Sequence, residues 1–234
     1  MTLRHLLTAT VAVLLLAAAG CSGSSDAGSP ATSSGDAPAT EPATEDGGGA
    51  ASLEDLAIDE GDLADGEQIV APADGTAVSD ASPSLAFCEI DLPAEADREE
   101  RHRVQVVDAD FAAVASAEAV RYAPGASATA ITELRGAFID CPEDQPVDVG
   151  EGEAITYDAM PIDEAELDGL TSDHVGADIT ATGADGEVEE STIVAQRRGD
   201  VLLVVEGADH DRVVALATAA GARLAAADGS SVGD

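Results

Sequence analysis

The chain has 234 residues and sets 47 carboxylate side chains against ten basic ones, a formal net charge of −37. A field of that sign repels phosphate backbones, which excludes nucleic acid as a partner. Apolar residues make up 45% and aromatic ones only 2%, enough for one core of Ala, Val, Leu and Ile but too few rings for a large aromatic ligand platform.

Arg4 and His5 precede an apolar run from Leu6 to Ala19, which closes on Ala18-Ala19-Gly20-Cys21. Charged, then apolar, then small is the order of an export signal, and the run is shorter than the roughly 20 residues that span a bilayer. A cysteine directly after Ala-Ala-Gly resembles the cleavage box of bacterial lipoproteins, in which the thiol is acylated and becomes the new N-terminus. Ala18 stands where that pattern prefers Leu. An ordinary secretory signal with an incidental cysteine is the alternative. On the lipoprotein reading, residues 1–20 are the signal, and a palmitate-type anchor on Cys21 holds the protein at the extracytoplasmic face of the cell membrane.

Beyond Cys21 the segment 21–51 is Ser, Gly, Ala, Thr, Pro, Asp and Glu, with no Val, Ile, Leu or aromatic residue. It cannot bury apolar surface and is expected to be a disordered acidic tether. At roughly 5–6 Å times the square root of its length, it would hold a domain on the order of 30 Å from the membrane.

The folded domain is expected over 52–228, with 229–234 as a tail. Leu53, Leu56, Ile58 and Leu63 make a short apolar entry with a turn over Asp62–Gly66. Strands are predicted at Val104–Val107 and Ala117–Ala123, with Arg101-His102-Arg103 as an exposed strand entry. After Pro124-Gly125, the spacing of Ile131, Leu134, Phe138 and Cys141 gives one apolar helix face, which Pro142 ends. Ala154–Tyr157 reads as a strand and Met160–Leu170 as an exposed excursion. Val175–Thr182 and Val188–Gln196 form a hairpin across Ala184-Asp185-Gly186, followed by a turn at Arg198-Gly199-Asp200 and a buried strand Val201–Val205. Asp209 caps a last helix whose stripe is Val213, Leu216, Ala217, Ala220 and Leu224, with Gly229 beyond its end. Strands in hairpins with a helix after each group predict a single α+β domain, an antiparallel sheet with helices packed against it.

With Cys21 assigned to the lipid, Cys88 and Cys141 remain. They close one disulfide in an oxidising compartment, or stand as two buried thiols. Every basic residue is Arg; a Lys-free, acid-rich chain resembles proteins of saline or alkaline habitats, and a GC-rich genome gives the same bias.

No catalytic frame emerges: there is no Gly-x-Ser-x-Gly elbow, no phosphate-cradling loop and no Cys-x-x-Cys. Neither a cofactor nor a specific metal site is expected, since Asp59-Glu60-Gly61-Asp62 with Asp65 does not fit the EF-hand spacing. Asp108 and Asp110 flank Ala109 in a turn role. Arg197 and Arg198 are the adjacent basic pair that could orient an anionic ligand, with pairing to Glu189 or Glu190 across a hairpin as the plainer role. His174, beside Asp173, is the histidine to test as a ligand contact. His210 is read as charge balance beside Asp209 and Asp211. Arg198-Gly199-Asp200 matches an adhesion tripeptide that a tight turn also explains.

Leu56-Ala57-Ile58 with Asp62-Leu63-Ala64-Asp65-Gly66, the helix from Ala126 ending at Cys141, and Arg197–Val205 running through Arg223-Leu224 together resemble the PknH-like extracellular sensor domains of high-GC Gram-positive bacteria. That resemblance covers about Leu53–Ala227 and rests on structural rather than catalytic motifs. It implies an antiparallel sheet backed by helices, with a cleft that takes a ligand. The best-known members carry two disulfides, where this chain has cysteines for one. The expected function is thus a membrane-anchored, non-enzymatic sensor-like lipoprotein that binds a small ligand or an envelope protein. A structural or adhesive surface lipoprotein and a cell-envelope hydrolase are the alternatives.

Overall fold

The computed structural model describes residues 51–79, 83–85, 87, 88, 90, 92–141, 146–150 and 153–227. The expected signal, Cys21, the expected tether up to residue 50, Pro142 and the expected tail with Gly229 lie outside the described residues. The described residues belong to one compact unit within 46–234.

The domain is α+β. Its strands are β1 (Gln68–Val70), β2 (Arg98–Val107), β3 (Ala113–Tyr122), β4 (Val147–Gly150), β5 (Glu153–Pro161), β6 (Asp173–Gly183), β7 (Val188–Arg198) and β8 (Val201–Gly207). Its helices are α1 (Leu53–Leu56), α2 (Ala126–Asp140) and α3 (His210–Ala227). All strands join one antiparallel sheet in the order β1-β2-β3-β8-β7-β6-β5-β4. The first three strands form one meander and the last five another. The second closes onto the first when β8 pairs with β3, in the register Ala117↔Val205 to Arg121↔Val201.

That central position explains why Val201–Val205 is apolar without alternation. Val201, Leu203 and Val205 pack against α1 and α3, while Leu202 and Val204 pack against α2 and the segment 85–94. A strand covered on both faces has no solvent side to mark with polar residues. The stripe Val213, Leu216, Ala217, Ala220 and Leu224 is buried as its spacing requires, and Asp209 accepts the Arg212 amide at 2.9 Å as the cap.

Turns follow their local chemistry. Gly186 (φ +84°) closes the β6–β7 hairpin and Gly199 (φ +56°) the β7–β8 turn, a left-handed backbone that glycine adopts without Cβ strain. Asp108 accepts the amides of Asp110 and Ala112 at 2.8 and 2.9 Å, the turn role expected of it between β2 and β3.

Two local expectations are corrected. Residues 160–170 are not simply an exposed excursion: Ile162 and Leu167 are buried in the α3-side core, and Gly176 leaves the space that the Ile162 side chain occupies. Arg101-His102-Arg103 lies within β2, and Arg101 is only 1% exposed. It faces away from Val104 and Val106, but Gly75–Ser79 lies over that face. Ala77 and Ser79 carbonyls accept from Arg101 (3.2 Å) and Arg98 (2.9 Å), and the Gly75 carbonyl accepts the Arg103 amide at 2.8 Å.

Candidate functional site

Four of the five aromatic residues gather on the α2 side of the sheet and define a cleft there. Phe87 packs edge-on against Phe138 of α2 (ring centroids 5.2 Å apart) and against Tyr157 of β5 (5.7 Å), and Tyr122 belongs to the same cluster. Cys88, next to Phe87, forms a disulfide with Cys141 at the end of α2. The described residues between 83 and 92 are thus clamped to the helix on one side and lean over the open sheet on the other. Between them lies a cleft of about 710 Å³. Its floor comes from alternate residues of adjacent strands: Ile155 and Tyr157 of β5, Ile179 and Ala181 of β6, Ser191 and Ile193 of β7. Its opposite wall is Leu85, Phe87, Ile90 and Leu92. A second hollow of about 760 Å³ adjoins it, sharing Ile155, Ala181 and Glu189 and running to Asp185 and Glu187 at the β6–β7 hairpin. Such volumes suit a small molecule.

The charged lining is acidic. Glu95, Glu189 and Glu206 border the cleft, and among the described residues no basic side chain lines either hollow. Glu95 is committed to the protein: it accepts from the Tyr122 hydroxyl (2.7 Å) and the Ser84 amide (2.6 Å), and Arg98 lies 3.3 Å away. Glu189 and Glu206 make no ion pair or side-chain hydrogen bond among the described residues and are exposed at the rim. Although Glu206 keeps access to water, the surrounding protein raises its carboxyl above the usual 4.5, Arg103 opposes that, and the charge of Glu189 adds to it.

Beneath the wall runs a buried polar network. Glu118 of β3, 4% exposed, accepts from Arg101 at 3.0 Å and from the Ser84 hydroxyl, with Arg103 at 3.7 Å. Burial raises the Glu118 carboxyl, and these partners only partly offset it. The Tyr122 hydroxyl is driven upward by burial and then by the negative charge of Glu95, so it stays a donor. The network ties the wall of the cleft to the sheet; it offers no acid–base pair to a ligand.

The residues singled out from sequence lie elsewhere. Arg197 is on the α2 face at the far end of β7, where it donates to Asp173 at 2.7 Å; Arg135 reaches the same carboxylate at 3.4 Å. Pairing of Arg197 or Arg198 with Glu189 or Glu190 is overturned, because those glutamates sit at the opposite end of the same strand. Arg198 is exposed at the β7–β8 turn. His174 faces the other side of the sheet, its Nδ1 2.5 Å from the Thr171 carbonyl and its Nε2 3.2 Å from Glu164. Arg197, Arg198 and His174 therefore form no common site, and none lines the cleft. His210 pairs with Asp178 at 2.8 Å and Glu166 at 3.4 Å rather than with Asp209 or Asp211.

Other candidates are absorbed by the fold. The Asp200 carboxylate of the Arg-Gly-Asp tripeptide accepts the Gly125 amide at 3.0 Å at the start of α2. Asp59 and Asp62 cap the short 3₁₀ turn Glu60–Asp62, and Arg223 of α3 donates to Asp62 at 2.6 Å. Arg212 meets Glu67 bidentately. Burial alone would raise Asp62, but the bonds from Arg223 and the Asp59 amide outweigh it and hold the carboxyl below 3.8. Among the described residues no His, Cys, Asp and Glu side chains group as a metal site.

The cleft escaped detection because its floor alternates along three strands and its wall comes from a segment without periodicity. One signal was available. Ile155, Tyr157, Ile179 and Ile193 fall on strand positions whose neighbours further along the same face are charged or small, as at the edge of a covered region.

No family model matches the chain, and no curated protein matches its sequence. Among solved structures, the chain bears a distant resemblance in fold to the extracellular domain of PknH from Mycobacterium tuberculosis. The two are 11% identical, with 76% of this chain and 94% of that chain covered and a TM-score of 0.46.

Proposed function

We propose that this protein is a membrane-anchored, extracytoplasmic, non-enzymatic binding domain, lipidated at Cys21, whose cleft between the 83–92 segment and the sheet takes a small ligand. The observation that carries the reading is the cleft itself: about 710 Å³, apolar in its floor and wall, rimmed by glutamates and held by the Cys88–Cys141 disulfide. Apolar hollows with a few polar groups at the mouth are the usual form of small-molecule sites. The disulfide suits an oxidising compartment, in keeping with the export signal at residues 1–20. The motif resemblance to PknH-like sensor domains, read from Leu53–Ala227, supports the same assignment.

The test is native mass spectrometry of the exported protein in volatile salt. A reproducible extra mass that disappears when Ile179→Arg fills the cleft supports the reading. A bare mass from every envelope extract tried counts against a small-molecule ligand. Cys21→Ser is expected to release the protein from membranes, and continued anchoring would refute the lipid attachment.

A further inference from the structure

The cleft's charge pattern narrows the ligand class, on the premise that the cleft is the ligand site. The Ile155, Tyr157, Ile179 and Ile193 side chains of its floor, with Ser191 among them, are bordered by Glu189 and Glu206, whose carboxylates make no side-chain hydrogen bond or ion pair among the described residues, while Glu95 is already engaged by Tyr122 and Arg98. Glu206 stands opposite Ile193 across the β7–β8 ladder, and Glu189 lies four residues before Ile193 on the same face of β7, so both rim the same hollow. The adjoining hollow continues the sign with Asp185 and Glu187. This polarity does not depend on the residues outside the description: between residues 80 and 152 these are Asp80, Ala81, Ser82, Ala86, Glu89, Asp91, Pro142, Glu143, Asp144, Gln145, Glu151 and Gly152, with no basic side chain among them.

An anionic ligand would meet repulsion at this mouth, and a neutral one would leave Glu189 and Glu206 side by side with only the charge of Arg103, which lines neither hollow, to offset them. A cation relieves both, by charge-assisted hydrogen bonds to the glutamates and by resting on the Tyr157 ring. We infer that the cleft binds small amphiphilic cations, with an alkyl or aryl body on Ile155, Tyr157, Ile179 and Ile193 and an ammonium or guanidinium group at Glu189 and Glu206. The surface as a whole attracts cations; this cleft adds an apolar hollow of molecular size to the carboxylates at its mouth.

The test uses the full-length chain carrying Cys21→Ser, so that no acyl anchor draws the probes elsewhere. Octylammonium, nonanoate and octyl glucoside share one alkyl length and differ in head-group charge, and the ammonium keeps the N–H donors that the glutamates would accept from. Each is titrated below its micelle concentration by calorimetry, with the isoleucine methyl signals followed by NMR. Saturable binding of the ammonium probe that shifts the Ile179 and Ile193 methyls, about tenfold or more tighter than either other probe, is expected. Glu189→Gln with Glu206→Gln should remove that preference, whereas Glu54→Gln with Glu99→Gln, the same charge change at exposed distant positions, should keep it. Equal binding of the glucoside overturns the cationic assignment but leaves the cleft as a ligand site. Cation binding that ignores the Glu189 and Glu206 changes, or that shifts no cleft methyl, overturns it as general surface attraction. Binding by no probe overturns it as well, and the cleft reading then rests on the mass measurement alone.

Discussion

The side-chain amide of Gln196 lies flat against the backbone of Gly221. Gln196 is fully buried, accepts the Thr171 amide at 3.0 Å and donates to the Ala217 carbonyl at 2.5 Å. A methyl group on Gly221 would come within 2.6 Å of Nε2 and 2.8 Å of Cδ. Helix propensity alone makes Gly221→Ala stabilising by about 1 kcal/mol in the middle of α3. Overpacking costs about 1–3 kcal/mol, and here the displaced amide also loses its partners. Gly221→Ala is therefore expected to lower stability by about 2 kcal/mol in urea unfolding. Since the clash is with one side chain, the cost of adding Gln196→Ala should be clearly less than the sum of the two single changes. Additive losses would show that Gln196 is not the obstacle.

Arg101 and Glu118 form the buried centre of the network under the cleft wall. Removing one member of a buried pair leaves an uncompensated charge and typically costs about 3–5 kcal/mol. Arg101→Met should thus destabilise strongly at neutral pH. Glu118 already has a raised carboxyl, and losing Arg101 raises it further, so this carboxyl takes up a proton more readily in the variant. Its contribution is present at low pH and lost as pH rises through the folded value, so the deficit of Arg101→Met should shrink on acidification. A deficit that does not change with pH would mean that lost packing, not the stranded carboxylate, is the cause.

These two sites show where the sequence was readable. Helix α3 and strand β8 were legible because each carries its own periodicity, a 3.6-residue stripe and an unbroken apolar run. Three charged or polar residues ahead of Val104–Val107 read as an exposed strand entry, yet Arg101 lies inside β2 and is buried. What buries it is the covering segment around Gly75–Ser79, whose path over β2 no local pattern encodes. The cleft was hidden for the same reason: Phe87 and Tyr157 meet across 70 residues of sequence. Charged runs misled in the opposite sense, since Asp62 and Glu67 are taken up by arginines of α3 about 150 residues away.

The disulfide should matter to the cleft as much as to the fold. Cys88 and Cys141 are separated by 53 residues, and closing a loop of that length stabilises by about 4 kcal/mol in the chain-entropy model. Cys88 also holds a left-handed backbone, φ 54°, which a non-glycine residue keeps only under constraint. Cys88→Ala with Cys141→Ala is expected to lower the urea midpoint and to raise amide exchange at 83–92 beyond the global change. Unaltered exchange there would mean that Phe87, between Phe138 and Tyr157, suffices to hold the wall.

His210 fastens the 162–172 connection to the sheet through Glu166 and Asp178. The bond to Asp178 chiefly, with the charges of Asp178, Glu166 and Asp211, raises its pKa above 6.5, against a smaller opposing effect of burial. A raised folded value means that the contribution is complete below 6.5 and is lost as pH rises through the folded pKa. Amide protection at 163–170, after correction for intrinsic exchange, should accordingly decline with rising pH. His210→Gln should flatten that decline. A slope that survives the substitution would assign it to another group.

Salt acts on two opposed sets of interactions. It weakens close pairs such as Arg212–Glu67 and Arg223–Asp62, which hold α3 to the N-terminal segment. It also screens repulsion among 47 carboxylates that ten arginines cannot balance. Contacts at hydrogen-bond distance and partly buried are screened little, whereas exposed like charges a Debye length apart, about 10 Å at 0.1 M, are screened most. The repulsive set therefore responds more, and the unfolding temperature should rise with added sodium chloride and level off near molar concentration, where the screening length has fallen to about 3 Å. Sodium chloride rather than sulfate is the salt to use, because sulfate strengthens apolar burial by itself. A flat or falling response would show that local ion pairs dominate and would remove self-repulsion as the price of this acidity.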